Sequence, residues 1–226
     1  MTLLLLHAFP LDERMWEPQR EAFPDAVAPN LYRLGNSMDA WAEAVLDRVE
    51  GRFAVCGASM GGYGALAVAR RAPERVIALV LAGARVEADS AERRAGRADT
   101  LELIRSQGPK GLWDDMRPKL FPPTASSAMV ESARALVLEQ DPAGLTAAVE
   151  AIRDRPDSTE LVTSLGVPVV IAVGEHDPFL SVDEARASAA SARDGRLHVF
   201  QGTGHLPSVE QPAQFNALLE EVVHDD

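Results

Sequence analysis

A serine stands between small residues in the segment Gly57-Ala58-Ser59-Met60-Gly61, which has the pattern G-x-S-x-G. The segment follows the apolar run Phe53–Cys56 and opens a helical pattern that continues to Arg71. A serine on a sharp strand-to-helix turn projects its hydroxyl above the sheet, beside the positive end of the helix dipole. In this setting the pattern predicts that Ser59 is a nucleophile, and a plain glycine-rich turn is the alternative.

A serine hydroxyl becomes a good nucleophile only when a base takes its proton, so a histidine is required. His205 lies in a glycine-rich loop directly after the apolar run at 196–200. The other histidines fit this role less well. His198 lies within a strand pattern and His7 at the end of the first apolar run. His176 lies beside a candidate acid, and His224 lies in the polar tail. His205 is therefore the predicted general base.

The histidine in turn needs a carboxylate to hold its tautomer and stabilise the imidazolium. Asp177 follows the apolar run at 169–173, where the ends of parallel strands gather functional loops. Three other acids also follow strand patterns and are alternatives, namely Glu175, Glu87 and Asp89. A further alternative is that Asp177 has only a structural role in a turn or helix cap. Its order and position in the chain favour Asp177.

These residues need a scaffold, and the chain supplies short apolar runs that alternate with helical patterns. The runs, which are typical of strands buried on both faces, lie at 3–6, 26–32, 52–56, 76–82, 167–173 and 196–200. Helical patterns lie near 13–23, 38–50, 61–72, 181–192 and 209–223. This alternation predicts an α/β fold with a mostly parallel sheet of about six strands, flanked by helices.

The alternation breaks between residues 86 and 164, where no strand pattern of similar strength appears. This stretch predicts four helices, separated by Gly-Pro, Pro-Pro and Asp-Pro pairs, at 91–107, 110–120, 126–140 and 143–153. We therefore predict two domains, a core formed by residues 1–85 and 165–226 and an inserted helical cap formed by residues 86–164.

Taken together, these motifs resemble the α/β-hydrolase fold family, in particular its serine esterase, lactonase and cofactor-free haloperoxidase-like branch. The segment His7-Ala8-Phe9-Pro10-Leu11, followed by Trp16, is similar to the family's oxyanion loop, and 57–62 is similar to its nucleophile elbow. The acid strand and the histidine loop are represented by 167–177 and 204–216. The order Ser59, Asp177, His205 is that of the α/β-hydrolase arrangement.

The resemblance implies an oxyanion hole made of the backbone N–H groups of Phe9 and Met60. Two such donors stabilise negative charge that develops only in the transition state. The chain departs from the family pattern at Ala8, where glycine is usual, and it starts at the strand that carries the oxyanion loop. We therefore expect a smaller sheet than in relatives that have a hairpin before this strand.

Composition excludes several other classes of function. The chain has 226 residues, a formal charge of −12 and a pI near 4.9, which argues against binding to nucleic acid or anionic lipid. It has one cysteine, no signal-peptide pattern and no apolar run long enough to span a membrane, so we expect a cytoplasmic protein. No metal-ligand spacing or dinucleotide motif is present, and we expect no metal and no cofactor. The sequence leaves monomer or homodimer undecided.

In the predicted cap, Trp113, Met116 and Phe121 could line a substrate pocket, although an apolar stripe at helical spacing is also typical of a helix core. The sequence as a whole predicts a serine hydrolase that cleaves a small carboxylic ester through an acyl-enzyme. A lactonase, including an enol-lactonase, a thioesterase and a perhydrolase would use the same triad. A non-enzymatic small-molecule receptor on a hydrolase fold is the alternative from a different class.

Overall fold

The computed structural model describes residues 2–224, with the side chain of His224 excepted. A parallel sheet of five strands, in the spatial order β1-β2-β3-β4-β5, forms the centre of the protein. Its strands are β1 (Thr2–Leu6), β2 (Phe53–Ala58), β3 (Val76–Ala82), β4 (Val169–Gly174) and β5 (Gly195–Phe200). The predicted α/β class and the mostly parallel sheet are confirmed.

Strands β1 to β4 are buried on both faces because they are apolar at consecutive positions, whereas only Phe200 of β5 is buried. Leu4, Leu6, Val55, Leu79 and Ile171 belong to the hydrophobic cluster on one face of the sheet. The intervening residues of the same strands, such as Leu5 and Cys56, belong to the cluster on the other face. This alternation follows from the two-residue repeat of a strand.

Helices cover both faces and connect the parallel strands. They are α1 (Glu17–Ala22), α2 (Met38–Leu46), α3 (Met60–Arg71), α4 (Ala91–Leu120), α5 (Ser127–Leu138), α6 (Pro142–Arg153), α7 (Thr159–Ser164), α8 (Val182–Ser191), α9 (Pro207–Glu210) and α10 (Pro212–His224). Two 3₁₀ turns lie at Glu13–Trp16 and Leu31–Arg33. Among the described residues, no helix is both long and apolar enough to cross a membrane.

The sheet has one strand fewer than the six apolar runs suggest, because the run at 26–32 forms only one bridge. Val27 pairs with Leu4, and its backbone exchanges hydrogen bonds with Leu3 and Leu5 at 2.8 and 2.9 Å. Pro29 follows and has no amide hydrogen for the ladder. Asn30 then accepts a hydrogen bond from the amide of Tyr32 and starts a 3₁₀ turn.

Four helices, α4 to α7, lie between β3 and β4. The helices predicted at 91–107 and 110–120 are two arms of α4, with a break at Gly108, where φ is 63°. Only glycine adopts that backbone conformation at little cost, and Pro109 after it has no amide hydrogen. The assignment of residues 86–164 as a separate cap domain stays a prediction.

Candidate active site

Ser59 occupies the turn between β2 and α3 in a strained conformation, with φ at 48° and ψ at −113°. The turn is so tight that a Cβ atom on Gly57 would lie 2.2 Å from the carbonyl oxygen of Gly61. A Cβ atom on Gly61 would lie 2.0 Å from the carbonyl oxygen of Leu6. Both glycines are therefore required by close approach of the backbone, and the turn lifts the serine above the carboxyl edge of the sheet.

The structure brings together the three predicted side chains, Ser59, Asp177 and His205. His205 Nε2 lies 2.8 Å from Ser59 Oγ, and His205 Nδ1 lies 2.8 Å from Asp177 Oδ2. His205 and Asp177 are buried, whereas Ser59 is partly exposed. This geometry suits a neutral imidazole that accepts the serine proton at Nε2 and donates its Nδ1 proton to the carboxylate.

Asp177 is oriented by its own loop as well as by His205. Its second carboxylate oxygen, Oδ1, accepts hydrogen bonds from the amides of Phe179 at 2.7 Å and Leu180 at 3.2 Å. The ring of Phe179 meets the His205 imidazole edge to face, with the ring centroids 4.6 Å apart. The loop after β4 therefore contacts both the acid and the base.

The backbone on either side of His205 is held from two directions. Both carboxylate oxygens of Glu210 accept hydrogen bonds, one from the Gly204 amide at 2.9 Å and one from the Leu206 amide at 3.1 Å. The His205 amide donates to the carbonyl of Leu120, the last residue of α4, at 3.1 Å. Burial raises the pKa of Glu210 in spite of the two amide hydrogen bonds.

The loop after β1 brings Phe9 to the same edge of the sheet, since Leu6 pairs with Gly57 at the end of β2. Among the described residues, the amides of Phe9 and Met60 donate no hydrogen bond to a protein group. The Ala8 amide is bonded to the sulfur of Met15 at 3.2 Å. Met60 begins α3, so its amide is among those that an α-helix leaves without an internal partner.

His7 supports this loop from beneath. Its Nε2 accepts a hydrogen bond from the Leu31 amide at 2.9 Å, which leaves the ring proton on Nδ1, 3.2 Å from the carbonyl of Ala8. Complete burial lowers the pKa of His7 to about 4, against the smaller opposing effects of the Ala8 carbonyl and Asp12. His7 is therefore a neutral hydrogen-bonding residue at neutral pH.

The alternative acids and bases lie elsewhere. Asp89 is buried in ion pairs with Arg155 and Arg97, at 2.7 and 2.9 Å. Glu175 accepts a hydrogen bond from the Gly202 amide and lies next to the exposed His176. The ring of His198 contacts that of Phe200 in β5. The backbone carbonyl of Glu87 accepts a hydrogen bond from Arg155. The side chain of His224 lies outside the described residues.

The residues predicted to line a pocket are mainly packed in the core. Trp113 and Phe121 are only 5% and 2% exposed, and their ring centroids lie 6.4 Å apart. Met116 packs against both hydrophobic clusters. Their role in substrate binding stays a prediction.

A groove of about 420 Å³ lies between the segment 11–20 and helix α5. Its lining is largely apolar and includes Leu11, Met15, Met129, Leu136 and Val209. Leu11 lies two residues after Phe9 and Val209 lies four residues after His205, whereas Ser59, Asp177 and His205 themselves do not line the groove. Sequence patterning gave no signal for this groove, because its walls come from distant parts of the chain.

The sequence did not predict Phe179, which belongs to the acid loop and contacts the His205 ring, or Arg85, which donates to the Phe179 carbonyl. The only available signal was the position of Phe179 directly after Asp177-Pro178. Glu210 was part of the family resemblance, but its hydrogen bonds to the histidine loop could not be read from spacing. Among the described residues, no group of three His, Cys, Asp or Glu side chains is arranged to hold a metal ion.

The sequence of this chain is similar to those of known proteins. A family model described as "Alpha/beta hydrolase family" matches residues 3–218. A curated relative from Aromatoleum aromaticum, named pimeloyl-[acyl-carrier protein] methyl ester esterase, is 28% identical over an alignment of 249 residues that covers 98% of this chain and 97% of that protein.

Solved structures of other proteins have a similar fold. A thermophilic esterase from Thermogutta terrifontis has a TM-score of 0.92 and 31% sequence identity, and the match covers 99% of this chain and 89% of that one. The enol-lactonase from Burkholderia xenovorans LB400 has a TM-score of 0.84 and 20% identity, over 99% of this chain and 91% of that one, and this likeness shows the fold alone.

Proposed function

This chain belongs to the alpha/beta hydrolase family, and from that premise we propose that it is a serine hydrolase that cleaves a small carboxylic ester through an acyl-enzyme. The observation that carries the proposal is the contact of Ser59 Oγ with His205 Nε2 at 2.8 Å, with Asp177 bonded to the opposite ring nitrogen. Relatives named as esterases support ester cleavage as the reaction type.

In the first half of the reaction, Ser59 Oγ attacks the acyl carbon while its proton passes to His205 Nε2. Asp177 holds the imidazole in the tautomer that has Nε2 free and then stabilises the imidazolium. Collapse of the tetrahedral intermediate breaks the bond between the acyl carbon and the alcohol oxygen. The imidazolium gives its proton to the leaving alcohol, and the acyl group stays on Ser59.

In the second half, His205 takes a proton from water, and the resulting hydroxide attacks the acyl carbon. The bond to Ser59 Oγ breaks, the serine regains its proton from His205, and the carboxylic acid leaves. In both halves the oxyanion would be bound by the amides of Phe9 and Met60. Removal of one comparable donor costs about 3–4 kcal/mol of transition-state stabilisation.

The apolar lining of the groove along α5 favours an apolar substrate. Its lining residues Leu11, Met15, Met129, Leu136 and Val209 suit a hydrocarbon group of the acid or the alcohol. An anionic lactone would need a free cation, and two cations of the inserted helices are paired, Lys119 with Asp115 at 2.7 Å and Arg134 with Glu131 at 2.9 Å. Arg14, Glu17 and Arg20 also line the groove, and the charge of Arg14 is balanced by Asp12 and Glu139. The preference for an uncharged ester therefore rests on the apolar part of the lining.

We assign residues 86–164 to a helical cap over this groove. Helix α5 forms one wall of the groove through Met129, Ser132 and Leu136. The opposite wall comes from the segment 11–20, which follows the loop that carries Phe9. Substrate would thus be enclosed between cap and core.

The test is hydrolysis of p-nitrophenyl esters from acetate to decanoate by the wild type and by Ser59→Ala. We expect turnover by the wild type and a decrease of about 10⁴-fold or more in kcat for Ser59→Ala, because the nucleophile is lost. A burst of p-nitrophenol at high enzyme concentration would identify the acyl-enzyme.

Lactones and thioesters assayed in parallel separate the alternatives that share the triad. Turnover confined to lactones or thioesters, and abolished in Ser59→Ala, would replace the ester by that substrate class. Absence of Ser59-dependent turnover on all three classes would contradict the hydrolase proposal and favour a small-molecule receptor.

A further inference from the structure

Arg85 joins the end of β3 to the loop that carries Asp177. Its guanidinium donates two hydrogen bonds to the carbonyl of Phe179, from Nε at 3.0 Å and from Nη2 at 2.6 Å. It also forms a two-point ion pair with Glu184, with N–O distances of 2.8 and 2.9 Å. The Arg85 side chain is 13% exposed and that of Glu184 is 46% exposed, so the bonds to the Phe179 carbonyl are partly buried and the ion pair lies at the surface.

The backbone segment to which Arg85 donates its hydrogen bonds, 179–180, also orients Asp177. The amides of Phe179 and Leu180 both donate to Asp177 Oδ1, which leaves Oδ2 directed at His205 Nδ1. The Phe179 ring packs edge to face on the imidazole, with centroids 4.6 Å apart. One peptide segment therefore connects the guanidinium to both the carboxylate and the imidazole.

The contribution of Arg85 is geometric, because its charge is balanced locally. Glu184 faces it, and the hydrogen bond from Arg85, followed by those from the Ser181 amide and hydroxyl, lowers the pKa of Glu184 to about 2. Glu184 also completes a capping box with Ser181 at the start of α8. Arg85 thus has one partner that fixes its position and another, Phe179, on which it acts.

We propose that Arg85 is a positioning residue for the Asp177–His205 pair, acting by holding the 177–180 loop through the Phe179 carbonyl. This inference rests on the proposed function for its effect on rate, although the geometry that it describes does not depend on turnover. Arg85 touches neither the reacting serine nor the imidazole in the structure. A tie that only stabilises the packing of β3 against α8 is the alternative.

The experiment compares Arg85→Met and Arg85→Lys with the control Arg186→Met. Arg186 forms an exposed ion pair with Asp183 on α8, at 2.6 Å, and has no contact with the acid loop. We expect kcat/KM to fall about 10- to 100-fold in Arg85→Met, because displacement of a catalytic group by about 1 Å costs about that much. Arg186→Met should stay within about twofold of the wild type.

Arg85→Lys keeps the charge but loses the planar fork, so it cannot hold Phe179 and Glu184 together. We expect it to lose a similar part of kcat/KM while it keeps the folded state. It therefore tests the proposal even if the methionine variant does not fold.

Combination with Asp177→Asn distinguishes positioning from general stabilisation. If Arg85 acts through the acid, Arg85→Met should lower kcat/KM by less than about threefold in the Asp177→Asn background, since coupled residues are not additive. A loss as large as in the wild-type background would overturn the proposal.

A spectroscopic measurement tests the same geometry without substrate. In protein labelled with ¹⁵N-histidine, the Nδ1 proton of His205, identified by its absence in His205→Gln, should exchange slowly with water in the wild type and in Arg186→Met. We expect that signal to broaden or disappear in folded Arg85→Met and Arg85→Lys. A signal unchanged in both arginine variants would overturn the inference, whereas a wild type without Ser59-dependent turnover contradicts only the proposed function.

Discussion

The amide of His205 donates a hydrogen bond to the carbonyl of Leu120, 3.1 Å away. Leu120 is the last residue of α4, so the helical segment between β3 and β4 contacts the backbone of the proposed general base directly. Glu210 holds the amides on either side of His205. The position of the imidazole therefore depends on both the sheet and the inserted helices.

Substitution of Gly204 tests this contact. A Cβ atom at position 204 would lie 2.8 Å from Pro122 Cδ and 3.0 Å from the Leu120 carbonyl oxygen, so the loop or the end of α4 must move. We expect kcat/KM for ester hydrolysis to fall at least about 10-fold in Gly204→Ala, because a small displacement of the base is costly. Gly166→Ala is the control, since no atom lies within 4 Å of the added Cβ there. Equal activity of the two variants would contradict the role of the contact.

Gly83 permits a matched comparison with Gly51. Both residues have positive φ, at 61° and 63°, so alanine at either site should cost about 1–2 kcal/mol of folding free energy. Only the Gly83 Cβ would approach the site, at 3.0 Å from His205 Cε1 and 3.1 Å from Asp177 Oδ2. We expect similar losses in urea denaturation but a loss of kcat/KM only in Gly83→Ala. A parallel loss of activity in Gly51→Ala would assign the effect to stability.

The buried His7 predicts a dependence of stability on pH. Its pKa is about 4 in the folded protein and 6.5 in the unfolded chain, so between these values the unfolded chain binds the extra proton. Neutral His7 therefore makes a contribution to the free energy of unfolding that is fully present above pH 6.5. This contribution, on the order of 3 kcal/mol, is lost as the pH falls towards 4. His7→Gln can still accept a hydrogen bond but does not titrate. Urea denaturation of both proteins from pH 7 to 4.5 should show a smaller decrease for His7→Gln, and identical slopes would contradict this assignment.

The groove along α5 predicts a change in chain-length preference. Ser132 lines the groove and is exposed, so phenylalanine there should fill part of the volume with little effect on folding. We expect Ser132→Phe to raise KM for p-nitrophenyl octanoate and decanoate more than for acetate. Ala135→Phe is the control, because Ala135 is exposed on the same helix and does not line the groove. If both variants change all esters equally, the groove does not bind the hydrocarbon part of the substrate.

Much of the fold was predictable because its signals are local. Apolar runs such as Leu3–Leu6 and Val76–Ala82 are typical of strands that are covered on both faces, and the structure confirms the predicted α/β class. The run at 26–32 looked similar, yet it makes one bridge, since Pro29 and Asn30 redirect the backbone. The hydrophobic pattern of a run does not show whether a proline within it ends the pairing with a neighbouring strand.

The candidate site divides in the same way. Residue types and positions after strand patterns predict Ser59, Asp177 and His205, and the structure places both Ser59 and Asp177 within hydrogen-bonding distance of His205. Trp113 and Phe121 were selected from an apolar stripe, which does not distinguish a pocket wall from a core. Both are almost fully buried.

Local sequence patterns predict the parallel strands, the turn that carries Ser59 and the chain order of the three candidate catalytic residues. Each of these follows from the geometry of a few consecutive residues, such as the glycines that a tight strand-to-helix turn requires. Three features are seen only in the folded protein: Arg85 donates hydrogen bonds to the acid loop, Leu120 contacts His205, and a groove lies along α5. These contacts join residues that are far apart in the chain, and their formation depends on how separate elements pack, which no local pattern encodes.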